Sequence, residues 1–129
     1  MSDTTERNKK DLTTTVQCLK DQVDAFVAER EWHQFHLPKN LCISLAVEAA
    51  ELMEIFMWTD SGSSRVEAER KRERVEEELA DVILSAICFA NSCNIDISSV
   101  LERKLATTAK KYPVEKVRGK SDKYTEYKD

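Results

Sequence analysis

LCISLAVEAAELMEIFMW, residues 41–58, is an almost unbroken apolar run into which Glu48 and Glu51 are set. A helix that is apolar on nearly every face belongs in the middle of a domain, and carboxylates are almost never fully buried there without a partner. Residues three apart on a helix lie about 60° from each other, so these two carboxylates point into one volume. A second run, ELADVILSAI at 78–87, repeats the spacing with Glu78 and Asp81. Four carboxylates are therefore expected to meet in one core. Like charges at that density raise pKa values or push the helices apart unless cations sit between them, and hard divalent cations take all-oxygen ligands. The two runs predict a magnesium site inside a helical bundle.

The rest of the composition agrees with a helical chain. At 129 residues there is length for one domain, and two glycines with two prolines argue against a turn-rich β fold. Cys18, Cys42, Cys88 and Cys93 show neither CxxC spacing nor a secreted disulfide framework, so they are read as small buried hydrophobes in a reducing compartment. No basic segment followed by an apolar stretch opens the sequence, and the paired glutamates of the 41–58 run would be costly in lipid. A soluble cytoplasmic protein with no membrane partner is expected. The net charge of −4 hides an asymmetry, because residues 103–129 hold nine Lys or Arg against four Asp or Glu. An acidic core with a basic tail suits a metal-bound anion, although a merely solvated tail fits the charge pattern as well.

Four helices are predicted. Residues 1–11 are polar and expected to be disordered, and 12–129 to form a single helical domain with a basic tail. Val16, Leu19, Val23, Phe26 and Val27 recur at helical spacing, giving a first helix from Leu12 to about Glu31. Pro38 should open the second helix, since proline disfavours helix at the preceding residue but suits a first turn. Ser64 with Glu67 fits a capping box for a third helix over 65–92, and Ser99 with Glu102 offers another for a fourth reaching about Lys111. Tyr112 and Pro113 end it.

Several groups have chemistry to offer. Exposed pairs are the ordinary reading of glutamates three apart. That fits Glu76 and Glu77 but not Glu48, which is flanked by Val47, Ala49 and Ala50. Neither carboxylate pair has a histidine three or four residues away, as di-iron bundles do, so the ligand set points to Mg²⁺ or Mn²⁺. His33 and His36 have no cysteine near them. With Trp32, Phe35 and Trp58 they make the mixture of aromatic faces and directional polar groups that a nucleobase slot requires, unless the tryptophans only cap the core. Lys104, Lys110, Lys111, Arg118, Lys120 and Lys123 are candidate phosphate ligands, and no glycine-rich phosphate loop is present.

ExxE at 48–51 followed by ExxD at 78–81 resembles the metal motif of the all-α nucleoside triphosphate pyrophosphohydrolases, the MazG-like group. REWHQFHLPKNL at 30–41, ELxExFxW at 51–58, EELxDV at 77–82, KYP at 111–113 and KYT at 123–125 are together similar to its dCTP pyrophosphatase branch, over nearly the whole chain from about Phe26. The resemblance implies an oligomeric four-helix bundle that holds magnesium with Glu48, Glu51, Glu78 and Asp81. It also implies base recognition by Trp32, His36 and Trp58. The chain departs from the branch at Val23, Ser85 and Thr108, where the branch carries histidine, tyrosine and asparagine. The metal motif is intact, so the resemblance speaks to hydrolysis more than to the choice of base.

The reaction so implied is cleavage of a nucleoside triphosphate, dCTP or a modified dCTP, to monophosphate and pyrophosphate. Glu51, with Glu48, would steer or deprotonate the attacking water, and Lys104, Lys111 and Lys123 would hold phosphates. The alternative is a helical module that binds nucleotides or a protein without turning them over. No stable nucleic-acid binding is expected. The second helix has more apolar surface than its own chain can cover, so a homodimer or homotetramer is expected.

Overall fold

The computed structural model describes residues 9–126. Of the segment expected to be disordered, residues 1–8 lie outside this range, and Lys10–Leu12 forms a 3-10 turn. Among the described residues the structure is all-α, with six helices and no strand. They are α1 (Val16–Glu29), α2 (Pro38–Glu54), α3 (Ser64–Arg70), α4 (Arg72–Ser92), α5 (Ile97–Lys111) and α6 (Val114–Val117). The trace groups into two compact units, Met1–Ile95 and Asp96–Asp129. No single helix among the described residues is long and apolar enough to cross a membrane.

Helix ends follow local chemistry, and several differ from the sequence expectation for that reason. The first helix begins at Val16 rather than Leu12 because Thr15 caps it, its side chain accepting from the Cys18 amide at 3.0 Å. It closes through Glu31, in the left-handed region at φ 55°, whose amide donates to the Ala28 carbonyl. Pro38 opens α2 as predicted, with Leu37 extended before it. Asn94 ends α4 in a Schellman arrangement: its own φ is 52°, its amide donates to Asn91 and that of Ile95 to Ala90.

The predicted third helix is two helices. Lys71, at φ −109° and ψ 31°, breaks it inside the charged half, eight residues before the apolar half begins at Leu79. Neither predicted capping box forms. Ser64 Oγ donates to the Ser61 carbonyl at 2.7 Å, and Glu67 turns away to ion pairs with Arg70 at 2.6 Å and Lys71 at 2.8 Å. Two cations next in sequence outbid one backbone amide for that carboxylate. At α5 the cap is Asp96, which accepts from the Ser99 amide, because an aspartate one residue before the helix meets the open amides directly. The tail, with no apolar period to read, holds the single turn of α6 behind Pro113.

In the first unit α2 and α1 both pack on α4, and α1 also meets the Trp32–Gln34 3-10 turn. Val27, Leu41 and Cys88 form the centre, with Val23 and Phe89 packed against it. Of the four cysteines expected to be buried only Cys88 is, whereas Cys18, Cys42 and Cys93 fall on exposed positions. Two polar ties fix the end of α4. Lys20 Nζ donates to the Ile95 carbonyl at 2.7 Å, and Asn91 Nδ2 donates to the Lys20 carbonyl at 3.0 Å. Ser92 Oγ donates to the His36 carbonyl at 2.8 Å, which anchors the turn ahead of α2.

Candidate active site

Because α2 lies along α4, the two carboxylate pairs face each other across the helix contact. Glu48, Glu78 and Asp81 each offer an oxygen within 4.8 Å of the others. Glu51, more exposed, stands within hydrogen-bonding reach of both Glu48 and Glu78. Partial burial lifts Glu48 above the ordinary carboxylate range, and the hydrogen bond and charge of Glu51, with the charges of Asp81 and Glu78, lift it further. Glu78 is raised for the same reasons, burial first and then the charges of Glu51 and Asp81, with Arg74 pulling the other way.

Oε2 of Glu48 and Oε2 of Glu78 are buried with no hydrogen-bond partner. A buried carboxylate oxygen without a donor is costly, and a hard cation satisfies it. The residues present therefore fit a divalent metal bound by oxygen alone.

The cluster opens onto a cavity of about 210 Å³ lined by Phe26, Val27, Trp32, His36, Leu41, Ser44, Glu48, Asp81, Leu84, Ser85 and Cys88. Its aromatic wall is ordered. Phe26 meets Trp32 edge-on at 5.8 Å, Trp32 and His36 are tilted at 6.4 Å, and the Arg30 guanidinium lies 3.7 Å over the Phe26 ring. A second cavity, of about 270 Å³, adjoins through the shared residues Val27, His36 and Cys88. Val23, Asp24, His33, Asn91 and Ser92 complete it. His33 contributes a 2.8 Å contact with Asp24.

A family model of MazG-like proteins matches residues 43–127, two thirds of the chain and all four carboxylates. The chain belongs to the MazG-like family. It is 38% identical over 103 residues to dCTP pyrophosphatase 1 of Rattus norvegicus and, equally, to that of Homo sapiens. The match covers 78% of this chain and 61% of either relative, so the chain spans about three fifths of their length. Among solved structures it resembles a pyrophosphatase from Archaeoglobus fulgidus, with a TM-score of 0.71 and 38% identity over 74% of this chain and 89% of that one.

In this MazG-like chain the residues singled out from sequence divide into three groups. Glu48, Glu51, Glu78 and Asp81 come together, and Trp32 and His36 line the cavity beside them. Trp58 does not line it. The second helix ends at Glu54, residues 55–58 turn, and Trp58 is 93% exposed. Lys104 and Lys111 on α5 and Lys123 after α6 lie in the second unit, where Lys111 sits 5.1 Å over the Tyr124 ring. Sequence reasoning missed Ser44, Leu84 and Cys88 as cavity wall. Their signal was helical register, since Ser44 precedes Glu48 by four residues and Leu84 and Cys88 follow Asp81 by three and seven. Two departures from the branch pattern line cavities, Ser85 the first and Val23 the second.

Proposed function

We propose that the chain is a divalent-metal-dependent nucleoside triphosphate pyrophosphohydrolase acting on dCTP or a modified dCTP. The observation that carries this reading is the pair of buried, unpartnered oxygens on Glu48 and Glu78, beside a cavity with a tryptophan wall. The names of the relatives agree with it.

Glu48, Glu51, Glu78 and Asp81 would hold Mg²⁺, or Mn²⁺, whose chemistry is to neutralise phosphate oxygens and to make water more acidic. Water adds to the α-phosphorus, the bond to the α–β bridging oxygen breaks, and pyrophosphate leaves. Glu51 would orient that water and take its proton, a reading supported by its exposure and by its hydrogen-bonding reach to both Glu48 and Glu78. Trp32 and His36 grip the base, and a Trp58 from another copy is available to cover it. Lys104, Lys111 and Lys123 supply positive charge for the phosphates. A homodimer or homotetramer suits the many large apolar side chains left on the surface, and a cytoplasmic setting suits four free cysteines.

Pyrophosphate release, measured over canonical and modified triphosphates with and without Mg²⁺, tests the reading. Metal-dependent release from a cytosine nucleotide is expected, and no release from any triphosphate overturns it.

A further inference from the structure

The helix α4 carries one stripe of functional side chains. Arg74, Glu78, Asp81, Ser85 and Cys88 follow at steps of four, three, four and three residues. At about 100° per residue they stay within about 80° of one another around the axis. Their roles change in order along it. Cys88 and Ser85 line the cavity with Trp32, Asp81 borders that cavity with Glu48, and Glu78 completes the carboxylate cluster. Arg74 is the next position, one turn beyond the metal ligands and on the side away from the base wall.

At a rise of about 1.5 Å per residue, Ser85 to Asp81 is about 6 Å and Glu78 to Arg74 another 6 Å or so. A nucleoside triphosphate laid along this stripe with its base at Trp32 has its α-phosphate near the carboxylates. Its β- and γ-phosphates then run toward Arg74.

Arg74 is also the cation left over. Around the α3–α4 break it shares an open polar cavity with Arg70, Lys71 and Arg72 and with the carboxylates Glu69 and Glu73. Arg70 and Lys71 are both engaged by Glu67, and Arg72 is held between Glu69 at 2.7 Å and Glu76 at 2.8 Å. Among the described residues no hydrogen bond or ion pair engages Arg74. Its charge is felt at Glu78, where it offsets part of the upward pull on that carboxyl. A guanidinium offers phosphate a planar, bidentate set of donors that a lysine does not.

We propose that Arg74 binds the β- and γ-phosphates of the substrate and the departing pyrophosphate, at the end of the α4 stripe opposite the base. The assignment rests on the pyrophosphohydrolase reading above. It differs from a purely electrostatic role, in which Arg74 would only balance the charge of Glu78.

The test uses the full chain with Mg²⁺ and inorganic pyrophosphate, comparing wild type with Arg74→Ala and Arg74→Lys by calorimetry and by product inhibition. Arg74→Ala should weaken pyrophosphate binding about 10- to 150-fold, the equivalent of one charged hydrogen-bonding group. Nucleoside monophosphate affinity and the Mg²⁺-induced melting shift should be unchanged, and Arg74→Lys should recover part of the loss. Unaltered pyrophosphate affinity in Arg74→Ala overturns the assignment, as does a changed Mg²⁺ shift with equal losses for monophosphate and pyrophosphate. A wild type that binds Mg²⁺ yet releases pyrophosphate from no triphosphate overturns the function itself, and the assignment falls with it.

Discussion

Glu48 on α2 and Glu78 on α4 face each other across the helix contact, each with one buried oxygen that no donor reaches. Both carboxyls are pushed up by burial and by their acidic neighbours, so the metal-free protein holds protons there that its unfolded chain would release. The sign follows. The stabilising contribution of these two carboxyls in the apo protein is fully present below the ordinary carboxylate value of 4.5 and is lost as pH rises through the raised values. Replacing Glu48 by the neutral isostere Gln should therefore stabilise the apo protein at neutral pH and flatten this decline. The same variant should lose the stabilisation by Mg²⁺, which for the wild type is about 2.7 kcal/mol at a hundredfold excess over Kd. Thermal melting across pH, with and without Mg²⁺, reads both effects. An unchanged Mg²⁺ shift in Glu48→Gln would take Glu48 out of the ligand set.

At the α3–α4 break the shift has the opposite sign. Hydrogen bonds from Arg70 and then Lys71 hold the Glu67 carboxyl down at about 2, and its side chain is mostly covered. A depressed carboxylate stabilises the fold above its unfolded value near 4.5 and loses that contribution as pH falls toward 2. Glu67→Gln should be less stable than wild type at neutral pH, and the gap should close across that window. Chemical denaturation at a series of acidic pH values measures it, and a pH-independent gap would assign the loss to packing.

Trp32 carries the base wall. Its ring is flanked by Phe26 and His36 and borders the same cavity as Glu48 and Asp81. Stacking on one aromatic is worth about 1 to 3 kcal/mol, so Trp32→Ala should raise KM roughly 5- to 150-fold with a smaller effect on kcat. Steady-state kinetics on the preferred triphosphate decide it. A KM equal to that of wild type would leave Trp32 as core packing alone.

How far these features could be read before folding depends on how local their causes are. The carboxylate pairs were legible because charge inside an apolar helix is an anomaly at single-residue resolution, and the start of α2 because Pro38 restricts both itself and Leu37. The caps were not. Ser64–Glu67 and Ser99–Glu102 satisfy the capping pattern, but Arg70, Lys71 and Asp96 compete for the same groups, and spacing does not rank competitors. The break at Lys71 is one residue's departure from helical backbone angles inside a sequence of good helix formers. Ser44, Leu84 and Cys88 became site residues only when α2 and α4 acquired a register against each other. A sequence contains the stripe on each helix but not the facing of two stripes.

The remaining prediction concerns surface. Only Val27, Leu41, Ile55, Ile87, Cys88 and Ala90 are buried as hydrophobics among the described residues. By contrast Ile43 and Val47 on α2, and Leu79 and Ile83 on α4, stay about half exposed, each pair one turn apart. Exposed apolar side chains repeated at that spacing on two packed helices are what a subunit interface needs, and an isologous two-fold contact is its commonest form. Trp58, 93% exposed just past the end of α2, gives such a contact a bearing on catalysis if it reaches the base of a neighbour's substrate. Sedimentation equilibrium should show a dimer or tetramer of the 14.8 kDa chain. Ile83→Glu, which places charge on this face about 140° or more around α4 from Glu78 and Asp81, should shift the equilibrium to monomer and raise KM together with it. Trp58→Ala should raise KM while leaving the assembly intact. A fully active single species at the monomer mass would refute both the interface and the shared base slot, and separate responses of mass and KM in Ile83→Glu would refute the second alone.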